Sequence, residues 1–135
     1  MKTFFHGHSF TANPLACTAA LASWDLLQKE ETTHAIEWIS RENKKFAAML
    51  EKKYGNSNKL KNIRCLGTIV AFEIAQGKDE YLNNISTVIT EKSLNKGVYL
   101  RPLGNTVYIM PPYCITKVEL QKVYNVIVEI VEDVI

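Results

Sequence analysis

Residues 98–113 read VYLRPLGNTVYIMPPY, and this stretch decides how the second half of the chain is expected to fold. Two short apolar runs, 98–100 and 107–110, lie on either side of a Gly-Asn dipeptide at 104–105. Glycine and asparagine tolerate the positive φ that a tight hairpin turn requires. The two prolines that follow end the second run, because proline has no N–H to donate to a neighbouring strand. The sequence predicts an antiparallel hairpin of residues 98–100 and 107–110.

A helix is predicted after the hairpin. Thr116 and Glu119 have the spacing of a capping box, in which each side chain bonds the backbone N–H of the other residue. Apolar residues then recur at helical intervals, which gives this last helix an inner face: Val123, Ile127, Ile130, Val131 and Val134.

Helices and one strand are predicted before the hairpin. Apolar side chains at helical spacing favour a helix over about 33–54, and the apolar residues at 69–72 favour a buried strand over 63–74. A further helix, about 79–95, ends where Gly97 can take a left-handed conformation. The predicted fold class is therefore α+β, with an antiparallel sheet of three to four strands covered by helices.

The N-terminal helix differs from the others. Asn13 is a good N-cap and Pro14 suits the first helical position, but the residues that follow are apolar nearly all round. A helix of this kind has to be covered on most sides. It is expected to form a helical arm that packs against another domain or another chain.

Length and composition exclude several classes of protein. The chain has 135 residues, 47% hydrophobic and 22% charged, which fits one soluble globular domain. The net charge is only +2, and lysines 44–45 and 52–53 alternate with glutamates on a helix, which is typical of a solvated face. These features argue against a nucleic-acid partner.

The sequence also argues against a membrane partner. It contains no apolar run of the roughly 18–20 residues that a membrane span needs and no apolar signal core. A cytoplasmic protein is therefore expected. Its cysteines, Cys17, Cys65 and Cys114, have apolar neighbours and form no paired motif, so buried reduced thiols are expected.

One candidate binding site is the loop 6–11, HGHSFT, which leads into the N-terminal helix. Backbone N–H groups and hydroxyls in such a loop can bind a phosphate. A purely structural turn is the alternative. A metal site at His6 and His8 is less favoured, because residues two apart in a loop need further ligands.

The other candidate binding site is centred on Arg101, which follows an apolar run and precedes a proline. A guanidinium at the mouth of a hairpin can hold a carboxylate through two parallel hydrogen bonds. A surface ion pair is the alternative. Tyr99, Tyr108 and Tyr113 lie nearby and could pack the hairpin or line a pocket.

Three stretches resemble a known family. Residues 6–23, HGHSFTANPLACTAALAS, are similar to the segment that opens the large-domain helix of class III pyridoxal-phosphate-dependent aminotransferases. Residues 101–113, RPLGNTVYIMPPY, resemble the RPxGxxxYxMPPY signature of the members that act in biotin biosynthesis. Residues 64–69, RCLGTI, resemble a strand of that family's small domain.

The resemblance implies a fold and an activity. Residues 1–30 would end the large cofactor domain of a fold-type-I pyridoxal 5'-phosphate transferase, and residues 31–135 would form its C-terminal small domain. The full-length enzyme would transfer an amino group from S-adenosylmethionine to 7-keto-8-aminopelargonate and give 7,8-diaminononanoate.

The resemblance also implies site residues. Gly7, His8 and Ser9 match the turn that reaches the cofactor phosphate of a second subunit in a homodimer. Ser9 would bond the phosphate through its hydroxyl, His8 would act through its backbone N–H, and Gly7 would let the substrate approach. Arg101 matches the arginine that holds the substrate carboxylate, and Tyr108 would border the same pocket.

Other parts of the family's site lie upstream of this sequence. These are the Schiff-base lysine, the acidic partner of the pyridinium nitrogen and the stacking aromatic residue. None of the lysines here matches the first of them, because Lys2 lies too close to the loop 6–11 and the others are expected on helices of the small domain. The chain is expected to contain no catalytic residue and to be inactive without the missing large domain and a second subunit.

Two other readings remain open. One is a class III aminotransferase acting on an ω-amino acid or an ornithine-like substrate. The other is a non-catalytic, stand-alone module used for binding or assembly.

Overall fold

The computed structural model describes residues 7, 10–57, 59–75 and 84–134. The chain divides into two compact units, residues 1–33 and 34–135, and each is described by itself. The described elements are, in chain order, α1 (Pro14–Leu27), α2 (Glu30–Tyr54), β1 (Leu60–Leu66), β2 (Ile69–Ile74), α3 (Asn84–Asn95), β3 (Thr106–Ile109) and α4 (Lys117–Val134).

The predicted N-terminal helix and its cap are confirmed. The side-chain oxygen of Asn13 accepts hydrogen bonds from the backbone N–H groups of Leu15, at 3.0 Å, and Ala16, at 3.2 Å. Pro14 begins the helix, where its missing N–H costs nothing. No residue of α1 is buried, and Trp24 is 60% exposed. The expectation that another domain or chain covers this helix stays a prediction.

Helix α2 begins at Glu30 instead of near residue 33. Glu30 and Glu31 occupy its first turn, where their negative charges interact favourably with the positive end of the helix dipole. Its buried face consists of Ile39, Asn43, Phe46, Leu50 and Tyr54, while lysines 44–45 and 52–53 are exposed. The solvated basic face that the sequence predicted is confirmed.

The prediction of a single strand over 63–74 is wrong, because the chain reverses inside it. Leu66 pairs with Ile69, and Gly67 takes the positive φ of 56° that the two-residue turn needs. Strands β1 and β2 are therefore antiparallel neighbours, with an irregularity at Asn62, whose φ is 51°.

The prediction of a hairpin of residues 98–100 and 107–110 is also wrong, although the predicted turn forms. Leu103 and Thr106 exchange backbone hydrogen bonds of 2.9 and 3.0 Å around Gly104, which has a φ of 57°. Strand β3 then pairs with β2 instead of with residues 98–100. Those residues form no strand, because the backbone of Leu100 bonds hydroxyl groups of α3.

The described sheet has the order β1-β2-β3 with antiparallel neighbours, and the α+β prediction is confirmed. Alternate residues of a strand face opposite sides, so one side of β2 and β3 enters the core. The core of the second unit combines this face with residues of α2, α3 and α4: Phe46, Leu50, Val70, Phe72, Ile89, Val107, Ile109, Leu120, Ile127 and Val131. The rings of Phe46 and Tyr124 stack there with their centroids 4.1 Å apart.

The capping box before α4 is confirmed. Glu119 Oε2 accepts a hydrogen bond of 2.8 Å from the Thr116 backbone N–H, and Thr116 Oγ1 accepts one of 3.3 Å from the Glu119 N–H. The helix that follows runs from Lys117 to Val134, as the sequence predicted. Among the described helices, none is long and apolar enough to cross a membrane.

The prediction of three buried thiols is wrong. Cys17 and Cys114 are exposed, and Cys65 is only partly buried, although all three are free cysteines. Burial raises the pKa of the Cys65 thiol. Apolar neighbours in sequence did not indicate burial here, because Cys17 belongs to the wholly exposed α1.

Candidate functional site

The segment that carries Arg101 starts at the end of α3. Gly97 has a φ of 71°, its N–H bonds the carbonyl of Leu94 at 2.8 Å, and the N–H of Val98 bonds the carbonyl of Ser93 at 2.9 Å. These two bonds have the pattern of a Schellman motif, which glycine favours because it tolerates a left-handed backbone. The chain turns here, and residues 98–101 lead away from the helix end.

Arg101 itself is exposed. Within the part of the chain that the structure describes, its guanidinium makes no hydrogen bond and no ion pair. The alternative reading of Arg101 as one half of a surface ion pair is therefore not supported by these residues. A free guanidinium keeps all five of its N–H donors for another carboxylate or phosphate.

Arg101 lines a cleft of about 460 Å³ in the second unit. Most of the lining is apolar: Val98, Tyr99, Leu100, Tyr108, Ile109, Met110, Pro111, Pro112, Ile115 and Val123. Glu119 and Lys122 complete its charged groups. An apolar cleft with a few charged groups is the usual form of a small-molecule site.

The carboxylate in the cleft is already engaged. Hydrogen bonds from the backbone N–H and the hydroxyl of Thr116 lower the pKa of Glu119, so this carboxylate is occupied as a helix cap. The two cations, Arg101 and Lys122, have no such partner among the described residues. The cleft therefore favours an anionic group attached to an apolar chain.

Tyr108 lies in β3 opposite Ala71 of β2. Its neighbours Val107 and Ile109 are buried in the core, so the alternation of the strand turns Tyr108 toward the other side, where it is half-buried. Tyr108 and Arg101 both line the cleft. Their role in substrate binding stays a prediction.

The site residues predicted in the loop 6–11 belong to the first unit: His8 and Ser9 for the cofactor and Gly7 for the approach of the substrate. Gly7 is exposed, and a Cβ atom added to it would meet nothing within 4 Å. His8 and Ser9 lie outside the described residues, as does His6 of the alternative metal site. Phosphate binding by the loop 6–11 therefore stays a prediction.

The sequence reasoning placed the lysines other than Lys2 on helices, and this is wrong for several of them. Lys61 belongs to β1, Lys59 precedes it, and Lys29 lies between α1 and α2. Among the described lysines, only Lys122 lines the cleft. Sequence reasoning did not single out Lys122, because a lone lysine on a surface helix looks like a solvated charge.

Three kinds of comparison identify relatives of the chain. The family model described as aminotransferase class-III matches residues 1–131. The chain is 35% identical to the adenosylmethionine-8-amino-7-oxononanoate aminotransferase of Synechococcus elongatus, over 98% of this chain and 30% of that protein. It is 36% identical to the enzyme of the same name from Helicobacter pylori, again over 98% and 30%.

The solved structures agree with these relatives. The adenosylmethionine-8-amino-7-oxononanoate aminotransferase of Methanocaldococcus jannaschii matches 96% of this chain and 30% of its own, with a TM-score of 0.74 and 30% identity. An aminotransferase of Vibrio fluvialis, solved with PMP bound, shares the fold with a TM-score of 0.79 at 20% identity, over 98% of this chain and 29% of its own. The chain spans about 30% of the length of the curated relatives it matches.

Proposed function

The chain belongs to the class III aminotransferase family, and we propose that it is the C-terminal part of a transaminase of biotin biosynthesis. The full-length enzyme would transfer an amino group from S-adenosylmethionine to 8-amino-7-oxononanoate, also called 7-keto-8-aminopelargonate. Both substrates occur in the name shared by the first curated relatives. The enzyme would work in the cytoplasm as a homodimer.

The observation that carries this proposal is the guanidinium of Arg101, which has no partner among the described residues and lines an apolar cleft. The proposed acceptor substrate has a carboxylate at one end of a long aliphatic chain. Arg101 would hold the carboxylate with two parallel hydrogen bonds, and the apolar lining that includes Tyr108 would contact the aliphatic chain. Excluding water from this chain would strengthen the contact with the guanidinium.

The first unit would serve the cofactor. Ser9 would bond the phosphate of pyridoxal 5'-phosphate through its hydroxyl, His8 would do so through its backbone N–H, and the site would be that of the second subunit. The cofactor, when bound, supplies the aldehyde that accepts the amino group and the ring that draws electrons from the reacting carbon. The absence of side-chain bulk at Gly7 would leave room for the substrate.

The chain alone would not carry out this reaction. The lysine that binds the cofactor aldehyde would lie in the upstream part of the enzyme, together with the groups that contact the cofactor ring. Residues 1–135 would contribute substrate binding and phosphate binding, and no catalytic group.

A hybrid enzyme tests the proposal. The chain would replace the matching C-terminal part of the Methanocaldococcus jannaschii relative, to which it is 30% identical. We expect this hybrid enzyme to bind pyridoxal 5'-phosphate and to aminate 8-amino-7-oxononanoate with S-adenosylmethionine as donor.

Competing acceptors separate this function from its alternatives. A hybrid enzyme that binds the cofactor but prefers an ω-amino acid or ornithine would place the chain in another branch of the family. A hybrid enzyme that folds as a dimer and aminates none of these substrates would favour the stand-alone binding or assembly module.

A further inference from the structure

The peptide just before Arg101 is held by two hydroxyl groups of α3. Thr90 Oγ1 donates a hydrogen bond of 3.0 Å to the Leu100 carbonyl, and Ser93 Oγ accepts one of 3.3 Å from the Leu100 N–H. The Ser93 hydroxyl also donates to the Thr90 carbonyl at 2.9 Å, and Ser93 is completely buried. We call Thr90 and Ser93 together the hydroxyl clamp.

This clamp acts where the backbone makes few other hydrogen bonds, although the side chains of Val98 and Leu100 are packed in the core. Residues 98–101 belong to no strand, and Arg101 makes no hydrogen bond to any other described residue. On one side the segment is fixed by the Schellman motif at Gly97. On the other side Pro102 has a fixed φ and restricts the backbone of Arg101 to extended conformations. The bonds to Leu100 are therefore the backbone hydrogen bonds nearest in sequence to Arg101 among the described residues, and they fix the peptide that precedes it.

Side-chain hydroxyls are unusual partners for this backbone. In the predicted hairpin, the N–H and carbonyl of Leu100 would bond β3, but β3 pairs with β2 and Leu100 belongs to no strand. A buried backbone group without a partner is costly, and the hydroxyls of α3 supply the missing partners. The position of Arg101 therefore depends on two polar side chains of a helix that the cleft itself does not include.

We propose that Thr90 and Ser93 are positioning residues, which act through Arg101 to place its guanidinium for binding the substrate carboxylate. The proposal rests on the function proposed above. Small displacements of a binding group can weaken a two-pronged contact strongly, because both hydrogen bonds depend on one geometry. Removing either hydroxyl should leave the cleft in place but allow the backbone at Leu100 and Arg101 to move, and with it the guanidinium.

The test uses the hybrid enzyme with Thr90→Val and Ser93→Ala, which remove hydroxyls with little change of volume. We expect each to raise the KM for 8-amino-7-oxononanoate by about three- to thirtyfold with little change in kcat. Thr90→Ser keeps a hydroxyl and should restore a KM near the original. Ser40→Ala is the matched control, since the Ser40 hydroxyl bonds the Ile36 carbonyl within α2 at 2.7 Å.

A double-mutant cycle with Arg101→Ala separates positioning from a general loss of structure. If the clamp acts through Arg101, Thr90→Val should raise the KM no further once Arg101 is alanine. An equal further rise in that background, or failure of Thr90→Ser to restore the KM, would overturn the positioning role. If Arg101→Ala itself leaves the KM unchanged, the carboxylate-binding function fails first, and the clamp has nothing to position.

Discussion

At the scale of single residues, Gly97 is a position whose backbone conformation favours glycine. Its φ is 71°, and a Cβ atom there would lie 2.8 Å from Nζ of Lys122. We predict that Gly97→Ala lowers the free energy of unfolding by about 1–2 kcal/mol, mainly because an alanine is strained in a left-handed backbone. Urea unfolding of the second unit, followed by fluorescence, measures this change.

Gly67→Ala is the matched control for Gly97→Ala. Gly67 has a φ of 56° but open space around its Cβ position. Nearly equal losses at the two positions would show that backbone strain dominates, since the flexible end of Lys122 can move away. A Gly97→Ala variant as stable as the original chain would contradict the left-handed turn at the end of α3.

Single residues also show how far the site could be predicted. Arg101 was singled out because residues 101–113 resemble a family signature, since its position between an apolar run and a proline fits a surface ion pair equally well. In the structure it lines a cleft together with Tyr108, and its role stays a prediction. Thr90 and Ser93 were missed. Their bonds to Leu100 join residues ten and seven positions apart through a turn. The sequence around a hydroxyl on a helix does not indicate a hydrogen-bond partner beyond the end of that helix.

At the scale of elements, the capping box that begins α4 couples helix stability to pH. The pKa of Glu119 is lowered below its ordinary value of 4.5 by the hydrogen bonds from Thr116. A carboxyl whose pKa is lower in the folded state stabilises the fold above its ordinary pKa and loses this effect as the pH falls through the folded value. The cap should therefore weaken only in acid.

Two substitutions test the cap. Thr116→Ala should lower the free energy of unfolding by about 0.5–2 kcal/mol at neutral pH, which thermal or urea unfolding would detect. Glu119→Gln should have a lower free energy of unfolding than the original chain near neutral pH. The two values should converge well below pH 4.5. A difference that stayed constant over the whole acid range would exclude the carboxylate as the titrating group of the cap.

The elements differ in how well the sequence predicted them. Helix starts at Asn13 and Thr116 were correct, because a cap depends on residues within one turn of each other. The strand over 63–74 failed because the turn at Gly67 was not recognised. The hairpin at 98–110 failed for another reason: its turn forms, but β3 finds its partner in β2, far away in sequence.

At the scale of the whole molecule, α1 should make the isolated chain associate. None of its residues is buried, and Leu15 and Leu21 are 83% and 65% exposed. Such exposed apolar side chains usually mark an interaction surface. We predict concentration-dependent self-association, measured by light scattering, and its reduction by Leu15→Ser with Leu21→Ser. A monomer at all concentrations, with α1 protected from hydrogen exchange, would contradict this prediction.

The whole molecule should also lack a lysine that captures the cofactor. Incubation of the chain with pyridoxal 5'-phosphate, reduction with borohydride and mass spectrometry should show no lysine modified in one-to-one amount. The hybrid enzyme should carry one such adduct, on its upstream part. A stoichiometric adduct on Lys122, the described lysine in the cleft, would show that the chain has a cofactor site of its own.

The central claim is that Arg101 holds the carboxylate of the substrate, and the KM of the hybrid enzyme for 8-amino-7-oxononanoate tests it most directly. Losing a desolvated, two-pronged contact should cost about 2–5 kcal/mol, so Arg101→Ala should raise this KM by about thirtyfold or more. Arg101→Lys should restore it only in part, because an ammonium lacks the planar fork of donors. Arg41→Ala, at an exposed position of α2, should leave it unchanged. A KM for Arg101→Ala equal to that of the Arg41→Ala control would contradict the claim.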